Sequence, residues 1–424
     1  MNEKKTNCFD AAEILLPDFD RIDGTKWSVV ACDQYTSEAA YWEEASALVG
    51  DAPSTLPLIL PEVYLGEAET RIPKINEAMQ KALAEQLVAY PNAMIYLERT
   101  QADGRIRRGI MGAVDLECYD YQKGSSSLIR ATEGTVLERI PPRVAIRRDA
   151  PIELPHVMLL IDDPDCTVIE PLIAQTADRR TVYDFDLMQN GGHLRGVLLT
   201  AEEQRRIQDA LDALITPEAL KSRYGDAAAD PLLFAVGDGN HSLATAKACY
   251  EELKASIGVE AAKNHPARYA LAEVVNLHDE ALDFEPIYRV VFGADPDALL
   301  DELVAYVADL SGTASSQVLR CITETRDFKM LIAHPEQQLT VGTLQSFLFD
   351  FVARHPEAEV DYIHGEDSLL SLTRRPDAVG FLFDGMRKDE LFRTVICDGA
   401  LPRKTFSMGH AHDKRFYTES RRIK

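Results

Sequence analysis

Basic residues are scarce in this 424-residue sequence: 45 Lys and Arg stand against 69 Asp and Glu, which gives a formal net charge of −24. A chain this acidic repels phosphate backbones and anionic lipid surfaces at long range. Long apolar runs are also missing, since the longest stretches, such as 157–161 and 232–236, are far shorter than the roughly 20 residues that cross a bilayer. We therefore expect no nucleic-acid partner and no membrane partner.

Secretory and cysteine-rich patterns are missing as well. The amino-terminal segment has no sustained apolar run followed by a small-residue cleavage site, and it contains Asp10 and Glu13. The seven cysteines are scattered and form no CxxC pair, whereas disulfide scaffolds and zinc fingers cluster them. We expect a cytoplasmic protein whose cysteines are reduced and mostly structural.

The sequence also lacks internal repeats and low-complexity tracts. Because single hydrophobic cores rarely grow beyond about 250–300 residues, a chain of 424 residues predicts two or three packed units. Changes in texture place an amino-terminal α/β lobe at 1–125, a central domain at 126–293 and a carboxy-terminal α/β lobe at 294–424.

Short β-rich runs alternate with amphipathic helical patterns, which predicts an α/β fold of the α+β kind with mixed sheets. The dipeptide Asp103-Gly104 separates two strand-like runs and indicates a hairpin. Thr200 followed by Glu203 is typical of a capping box that opens a helix over 201–215. In the last lobe, the runs 321–335 and 337–343 predict an additional hairpin.

The strongest functional signal is a polar loop between a buried strand, 232–236, and a helix, 242–257. The loop is Gly237-Asp238-Gly239-Asn240-His241. Ser242 is expected to cap the helix, whose free N–H groups and dipole favour anions, and the glycines let the backbone approach a ligand closely. A structural alternative stays open, in which the glycines make a turn, Asp238 caps the helix and His241 packs. The GxxxxGK(S/T) and GxGxxG patterns are missing, which argues against an ordinary P-loop and a Rossmann site.

The loop sequence GDGNHSLATA is similar to the DGHHR loop of the ParB/sulfiredoxin-like superfamily and its free serine kinases. It resembles more closely the ADGHHRYETA loop of the bacterial family called domain of unknown function 1015. Further motifs follow in the order of that family: 27–37 where the family has PPYDVIS, RATEGT at 130–135 for RxHExT, PIYR at 286–289 for PTHR, and LPRKT at 401–405 for MPxKST.

This chain departs from the family patterns at several positions. Asn240 replaces the first histidine of DGHHR, Ser242 replaces its arginine, and Thr132 replaces the histidine of RxHExT. Asp33 and Tyr35 keep an acid and a tyrosine near the amino-terminal motif, one position out of register. The departures predict a divergent branch whose substrate or activity has shifted.

The resemblance implies a ParB/sulfiredoxin-like central domain with flanking α/β lobes. It also implies a nucleotide-dependent phosphotransferase that uses Mg²⁺ and ATP or ADP to phosphorylate a small hydroxylated metabolite, such as free serine. Phosphoryl transfer needs positioning and charge neutralisation more than covalent chemistry. The predicted catalytic residues are Asp238, His241 and Glu133, of which Asp238 and Glu133 are also the predicted Mg²⁺ ligands. The predicted phosphate or nucleotide ligands are Gly237, Gly239, Asn240, Ser242, Arg130, Thr135, Arg289 and Lys404.

Other interpretations stay open beside this one. Glu133 and the basic run 130–148 also fit a salt-bridged loop, and His410 with His412 fits a weak metal-chelating pattern without a third ligand. A non-catalytic nucleotide sensor is the main functional alternative, because the arginine of DGHHR is missing. The sequence leaves the acceptor, the choice of nucleotide and the oligomeric state open.

Overall fold

The computed structural model describes residues 7–134, 138, 140–225 and 230–424. The predicted phosphate ligand Thr135 lies outside the described residues. The strands, in chain order, are β1 (Phe9–Asp10), β2 (Ala12–Pro17), β3 (Leu87–Ala93), β4 (Ile95–Thr100), β5 (Ile106–Asp115), β6 (Tyr119–Asp120), β7 (Ile129–Ala131), β8 (Ile152–Glu153), β9 (Met158–Ile161), β10 (Tyr183–Asp186), β11 (His193–Leu198), β12 (Phe234–Asp238), β13 (Tyr269–Asn276), β14 (Phe284–Phe292), β15 (Gln317–Ile322), β16 (Asp327–Ile332), β17 (Glu359–His364), β18 (Ala378–Leu382), β19 (Phe406–Met408) and β20 (Arg421–Arg422).

The α-helices, in chain order, are α1 (Gly24–Trp27), α2 (Ala39–Val49), α3 (Ala68–Glu85), α4 (Ile140–Arg148), α5 (Pro171–Thr176), α6 (Ala201–Leu214), α7 (Pro217–Tyr224), α8 (Asn240–Ile257), α9 (Val259–Ala262), α10 (Pro296–Asp309), α11 (Thr340–Arg354), α12 (Glu366–Leu372) and α13 (Lys388–Asp398). Helices and several mixed sheets alternate along the chain, so the predicted α/β class is confirmed. No described helix combines the length and the apolar character that crossing a membrane requires.

The chain divides into two compact units. Unit 1 contains the residues up to Leu282 together with His410–Lys424, and unit 2 contains Asp283–Gly409. This division differs from the three predicted lobes with boundaries at 125 and 293. The reason is that β5 and β13, which lie on opposite sides of residue 125, pair over seven residues from Tyr269↔Asp115 to Val275↔Gly109.

The main sheet of unit 1 has the strand order β10-β11-β4-β5-β13-β9-β12-β7-β6, and β1 also pairs with β5. Both faces of this sheet are buried. In β4, Tyr96 belongs to one apolar cluster, whereas its neighbours Ile95 and Leu97 belong to another. Successive side chains of a strand point to opposite faces, so the two clusters cover the two sides of the sheet.

Local signals set several element boundaries as expected. The hairpin at Asp103-Gly104 is confirmed, since β4 and β5 pair antiparallel up to Thr100↔Ile106 and Gly104 has a φ of 87°. The capping box at Thr200 and Glu203 is also confirmed. The hairpin expected to include 337–343 is wrong, because α11 begins at Thr340 and β15 pairs with β16 instead.

Unit 2 is built around a sheet of order β16-β15-β18-β14-β17, with β19 paired to the start of β14. Its helix α10 begins after Asp295, whose side chain accepts from the N–H groups of Asp297 and Ala298, and Pro296 occupies the first helical position. A proline fits there because that N–H has no partner within the helix.

One disulfide corrects the expectation that the cysteines are reduced. Cys8 and Cys118 are bonded, with Cα atoms 6.3 Å apart and a sequence separation of 110. The strand β1 pairs with β5 at Phe9↔Val114, and Cys118 ends the short 3-10 turn that follows β5. Sheet pairing therefore brings the two cysteines together, which sequence spacing could not reveal.

The carboxy-terminal segment, His410–Lys424, packs into unit 1. Val30 and Phe416 form an antiparallel bridge, Leu15 and Ser420 form a second one, and β20 pairs with β8. The segment thereby brings side chains from the end of the chain next to residues from its beginning.

A buried charge network fixes this segment. Arg415 contacts Glu273 at 2.6 Å and also Glu419, and all three side chains are buried. The Arg99 guanidinium donates to the carbonyl oxygens of residues 412 and 414, and the Arg107 guanidinium donates to that of residue 413. Buried charges cost much free energy unless they are paired, so the network defines one position for the segment.

Candidate functional site

The polar loop lies at one edge of the main sheet in unit 1. The strands β12 and β7 are parallel and both end there, whereas β9 is antiparallel to β12 and begins there. Three chain segments therefore meet at the loop: residues 237–241, the residues after β7, and the residues before Met158. This position at the carboxyl ends of strands is where open α/β sheets commonly bind ligands.

The glycines of the loop are needed for its backbone path. Gly239 has a φ of 79° and is the N-cap of α8, where it provides no side-chain cap. A Cβ atom at Gly237 would lie 2.8 Å from Leu160 Cγ. The helix begins at Asn240, so the prediction that Ser242 is the N-cap is wrong. Left-handed Gly239 ends the loop earlier and places Ser242 in the first helical turn.

Ser242 contacts a histidine that the sequence did not single out. Its Oγ atom lies 2.9 Å from His156 Nε2, and the Tyr417 hydroxyl lies 2.9 Å from His156 Nδ1. The Tyr417 hydroxyl also accepts from the backbone N–H of Cys32 at 3.1 Å. His156 and Tyr417 are buried, so the imidazole is held between two hydroxyl groups.

Two charged pairs complete the arrangement. Asp33 Oδ2 lies 3.6 Å from His156 Nε2, and Lys414 Nζ lies 3.4 Å from Asp238 Oδ2. Asp238 also accepts from the N–H of Gly239 through Oδ1. We call Asp33, His156, Asp238, Ser242 and Lys414 the loop cluster. It combines cations and carboxylates beside a helix start, which is the chemistry needed to hold an anion and move a proton.

The electrostatics of the pair Asp33 and His156 favour its charged form. Burial alone would lower the pKa of His156, but the Asp33 carboxylate, its hydrogen bond and the charge of Asp238 raise that pKa above its usual value. Burial alone would raise the pKa of Asp33, but the charge and hydrogen bond of His156, with Lys414, hold it well below its usual value. These interactions favour an ion pair between the His156 imidazolium and the Asp33 carboxylate.

This pair predicts a pH-dependent stability of unit 1. A histidine with a raised pKa stabilises the fold fully below its unfolded pKa of about 6.5, and that contribution is lost as the pH rises through the higher folded pKa. Urea unfolding should give a higher free energy of unfolding for wild type than for His156→Gln, by up to about 1 kcal/mol at pH 6. The difference should be smaller at pH 9. Asp33→Asn should remove the same pH dependence. A constant difference between pH 6 and 9 would contradict the pairing.

The segment after β7 also contacts the loop. Thr132 Oγ1 donates to the carbonyl oxygen of Val236 at 2.7 Å, and Asn240 Nδ2 lies 3.4 Å from Thr132 Oγ1. Ala131 pairs with Val236 in the parallel register of β7 and β12, and Glu133 follows two residues after this pair. Glu133 is half-buried there, and Gly134 is exposed.

Arg130 lies elsewhere. Its guanidinium donates to the carbonyl oxygens of Ser127, Asp230 and Pro231, and the last two residues precede β12. These contacts direct the side chain to the end of β12 opposite to Asp238. The structure therefore does not bring the Arg130 guanidinium to the loop, because local carbonyl groups hold it.

The rest of the predicted basic patch is paired with carboxylates. In α4, Arg143 contacts Glu62, Arg147 contacts Glu153, and Arg148 lies 3.3 Å from Glu252. These arginines thus serve largely as ion-pair partners, as the salt-bridge alternative proposed. Burial has the largest effect on the pKa of Cys32 and of His156, and the charge of Arg143 also acts on both groups.

Two other predicted ligands belong to unit 2. Arg289 is fully buried, and its guanidinium donates to the carbonyl oxygens of Ile287 and Arg403 and to Gln345 Oε1. Lys404 Nζ lies 4.8 Å from the centroid of the Tyr362 ring. Both side chains therefore have structural contacts within unit 2, and their predicted role as phosphate ligands stays a prediction.

Mg²⁺ fits the loop only together with a phosphate ligand. Among residues that the structure describes, no group of three or more His, Cys, Asp or Glu side chains is arranged to hold a metal ion. His410 and His412 belong to no such group; their rings are stacked, with the ring centroids 5.4 Å apart. Mg²⁺ is commonly bound by one or two protein carboxylates while substrate phosphates and water supply the other oxygens. Asp238 suits that limited role, which stays a prediction for Asp238 and Glu133.

Sequence reasoning missed His156, Lys414 and Tyr417. Each comes from a segment far from the loop in sequence, and none belongs to a motif that indicates chemistry. Asp33 is different, because it lies in the amino-terminal motif that retains an acid. His241, the histidine that was predicted, is half-buried in the first turn of α8, and its carbonyl accepts from Thr245 Oγ1 at 2.7 Å.

Comparison with models of known protein families shows to which family this chain belongs. The family described as "Protein of unknown function (DUF1015)" matches residues 18–361, which is most of the chain. The chain belongs to this family. The match includes the loop, the segment after β7 and the amino-terminal motif with Asp33, so the resemblance predicted from these motifs is confirmed. The narrower likeness to ParB/sulfiredoxin-like domains stays a prediction.

Several solved structures are similar to this DUF1015 family member. A conserved hypothetical protein from Pyrococcus furiosus matches 74% of this chain and 94% of its own, with 10% identity and a TM-score of 0.35. A free serine kinase in complex with AMP matches 72% of this chain and 90% of its own, with 9% identity and a TM-score of 0.37. A variant of that kinase in complex with ADP gives 10% identity and the same TM-score of 0.37. No curated protein sequence matches the chain.

Proposed function

We propose that this protein is a nucleotide-dependent phosphotransferase that acts on a small hydroxylated metabolite, with free serine as the first acceptor to test. The observation that carries the proposal is the pair of Lys414 Nζ and Asp238 Oδ2, 3.4 Å apart beside the start of α8. An ammonium group can neutralise phosphate oxygens, and a carboxylate can accept the proton of an attacking hydroxyl.

The surrounding groups support an anion at this position. The first turn of α8 directs backbone N–H groups and the positive end of the helix dipole toward the loop. Asn240 Oδ1 is buried and has no hydrogen-bond donor among the residues described, so a hydroxyl or amino group of a ligand would satisfy it. Mg²⁺ bound with the nucleotide would supply further neutralisation of the phosphate charge.

Roles follow for the residues of the loop cluster. Asp238 accepts the hydroxyl proton of the acceptor once Lys414 has moved from the carboxylate to the phosphate. Ser242 and the first-turn N–H groups bind the transferred phosphoryl group, and His156 orients Ser242 through the contact of 2.9 Å. Glu133, two residues after the pair Ala131↔Val236, is the second carboxylate that we assign to the metal or the acceptor.

Lys414→Gln tests the proposal directly. We expect the affinity for ADP to fall about ten-fold or more, because a charge-assisted contact with phosphate is lost. Isothermal titration calorimetry with ADP and with ATP, each with Mg²⁺, measures this. Lys263→Gln is the matched control, because Lys263 forms an exposed pair with Glu260 in unit 1. Equal affinities of wild type and Lys414→Gln would contradict a phosphate at the loop.

Turnover separates the enzyme from a nucleotide sensor. Purified protein is incubated with ATP or ADP, Mg²⁺ and a mixture of amino acids, and phosphorylated products are identified by mass spectrometry. We expect a phosphorylated hydroxyl compound together with consumption of the nucleotide. Nucleotide binding without any turnover would favour the sensor instead.

A further inference from the structure

A partly open cavity adjoins the loop cluster. It has a volume of about 150 Å³ and lies entirely within unit 1. His156, Ser242, Tyr417 and Cys32 form one wall, which is shared with the loop cluster. The remaining wall is mostly apolar and includes Leu58, Leu60, Met79, Ile146, Ile152 and Leu243. The cavity thus connects a polar wall that carries the candidate chemistry to a hydrophobic interior.

The groups on the polar wall that are not part of the charged pairs stay neutral. Burial, together with the nearby Asp33 carboxylate, raises the pKa of the Cys32 thiol to about 12. Burial also raises the pKa of the Tyr417 phenol well above its usual value. A neutral thiol and a neutral phenol accept an uncharged ligand group and offer no counter-ion to a charged one.

The charges elsewhere on the cavity wall are used within the protein. Arg147 contacts Glu153, Arg143 contacts Glu62, and Glu153 also contacts Arg421 at 2.8 Å. A charged ligand group would have to compete with these pairs and lose its hydration, which is costly in an apolar site. The cavity therefore favours an uncharged, apolar group.

The volume of the cavity limits which apolar group can fill it. An apolar cavity of about 150 Å³ in another protein stays dry and binds benzene. A group of about six carbon atoms fills such a volume, whereas the hydroxymethyl side chain of serine leaves most of it empty.

We propose that this cavity binds an apolar group of the phosphoryl acceptor, so that the acceptor is a hydroxylated compound with an aliphatic or aromatic substituent of about six carbon atoms. Its hydroxyl would lie at the polar wall, next to Ser242 and His156. The identification of this ligand as the acceptor rests on the proposed function, whereas the preference for an apolar group rests on the cavity alone.

Benzyl alcohol is a suitable probe, because it joins one hydroxyl to a six-carbon ring. Calorimetry with wild-type protein, without nucleotide, should show that benzyl alcohol binds at least about ten-fold more tightly than serine or glycerol. Ala246 lines the cavity, and Ala246→Leu fills part of it, so this variant should lose about ten-fold of the affinity for benzyl alcohol. Ala255→Leu makes the same change at an exposed position of α8 and should bind like wild type.

A second variant guards against misfolding, since added methylene groups can overpack a core. Ala150→Val fills the cavity from another segment with a smaller change and should also weaken binding. ADP titrations of each variant show whether the loop is intact. Benzyl alcohol that binds no better than serine, or binds unchanged to both cavity variants, would overturn the inference while ADP binding leaves the proposed function standing. Benzyl alcohol binding by a protein that binds neither ADP nor ATP would overturn the acceptor role together with the proposed function.

Discussion

Asp238→Ser is expected to lower turnover at least ~100-fold, the scale of a lost acid or base group, while the fold is kept. The serine hydroxyl can still accept from the N–H of Gly239, as Asp238 Oδ1 does at 3.0 Å. The carboxylate charge is lost, so no group at this position can take the proton of an acceptor hydroxyl. Lys414 loses its partner at the same time and becomes free to bind phosphate. Affinity for ADP should therefore be unchanged or higher although turnover falls.

This separation of affinity from turnover identifies the role of Asp238. Product formation measured at saturating nucleotide gives kcat, and calorimetry gives the affinity. Asp230→Ser is the matched control, because Asp230 is exposed and precedes the opposite end of β12. Unchanged turnover in Asp238→Ser would remove this residue from the mechanism, and equal losses of affinity and turnover would indicate that it only shapes the loop.

Local features could be predicted from the sequence because their causes are local. The turn at Gly104 needs a residue that tolerates positive φ, and the helix after Thr200 needs a side-chain cap. The strand, loop and helix around Asp238 also follow from neighbouring residues. The N-cap of α8 lies three residues earlier than expected, because left-handed Gly239 takes this position in place of Ser242.

Long-range parts of the site could not be predicted in this way. His156 precedes β9, Tyr417 and Lys414 lie near the end of the chain, and all three reach the loop only through sheet pairing and the bridge at Val30↔Phe416. The disulfide between Cys8 and Cys118 depends on the same kind of contact. No spacing in the sequence records which strands become neighbours, so such contacts need the fold.

Two of the departures from the family patterns turn out to be neighbours. Thr132 and Asn240 are 108 residues apart in sequence, yet Asn240 Nδ2 lies 3.4 Å from Thr132 Oγ1. Both replace histidines of the family motifs, so the change affects one place in the site and substitutes a pair of small neutral polar groups for two imidazoles. The loop cluster then retains a single imidazole in contact with Ser242, that of His156. Under the proposed function, the proton chemistry of this chain would depend on Asp238, Glu133 and His156.

Glu273→Gln is expected to destabilise unit 1 by about 3–5 kcal/mol, the cost of leaving buried charges uncompensated. Glu273 is completely buried, and its carboxylate faces Arg415 at 2.6 Å and Arg107 at 3.5 Å. Burial alone would raise the pKa of Glu273, but these arginines, with Arg99, hold it below its usual value, so the carboxylate is charged at neutral pH. Without that charge, the three buried guanidinium groups lose a shared carboxylate, while Glu419 still pairs with Arg415 and the charge of Asp413 still acts on Arg99.

The consequences of Glu273→Gln should reach the loop through the carboxy-terminal segment. Arg99, Arg107 and Arg415 hold the backbone around Lys414, so loss of their counter-ion loosens both Lys414 and Tyr417.

The two tryptophans, Trp27 and Trp42, are buried in unit 1, and their fluorescence during urea unfolding therefore follows this unit alone. Glu260→Gln, at an exposed pair with Lys263, is the matched control and should cost less than about 1 kcal/mol. Because Lys414 belongs to the proposed phosphate site, the affinity for ADP should fall in Glu273→Gln even in the absence of urea. A urea midpoint and an ADP affinity equal to those of the control would show that the buried network neither stabilises unit 1 nor positions the loop cluster.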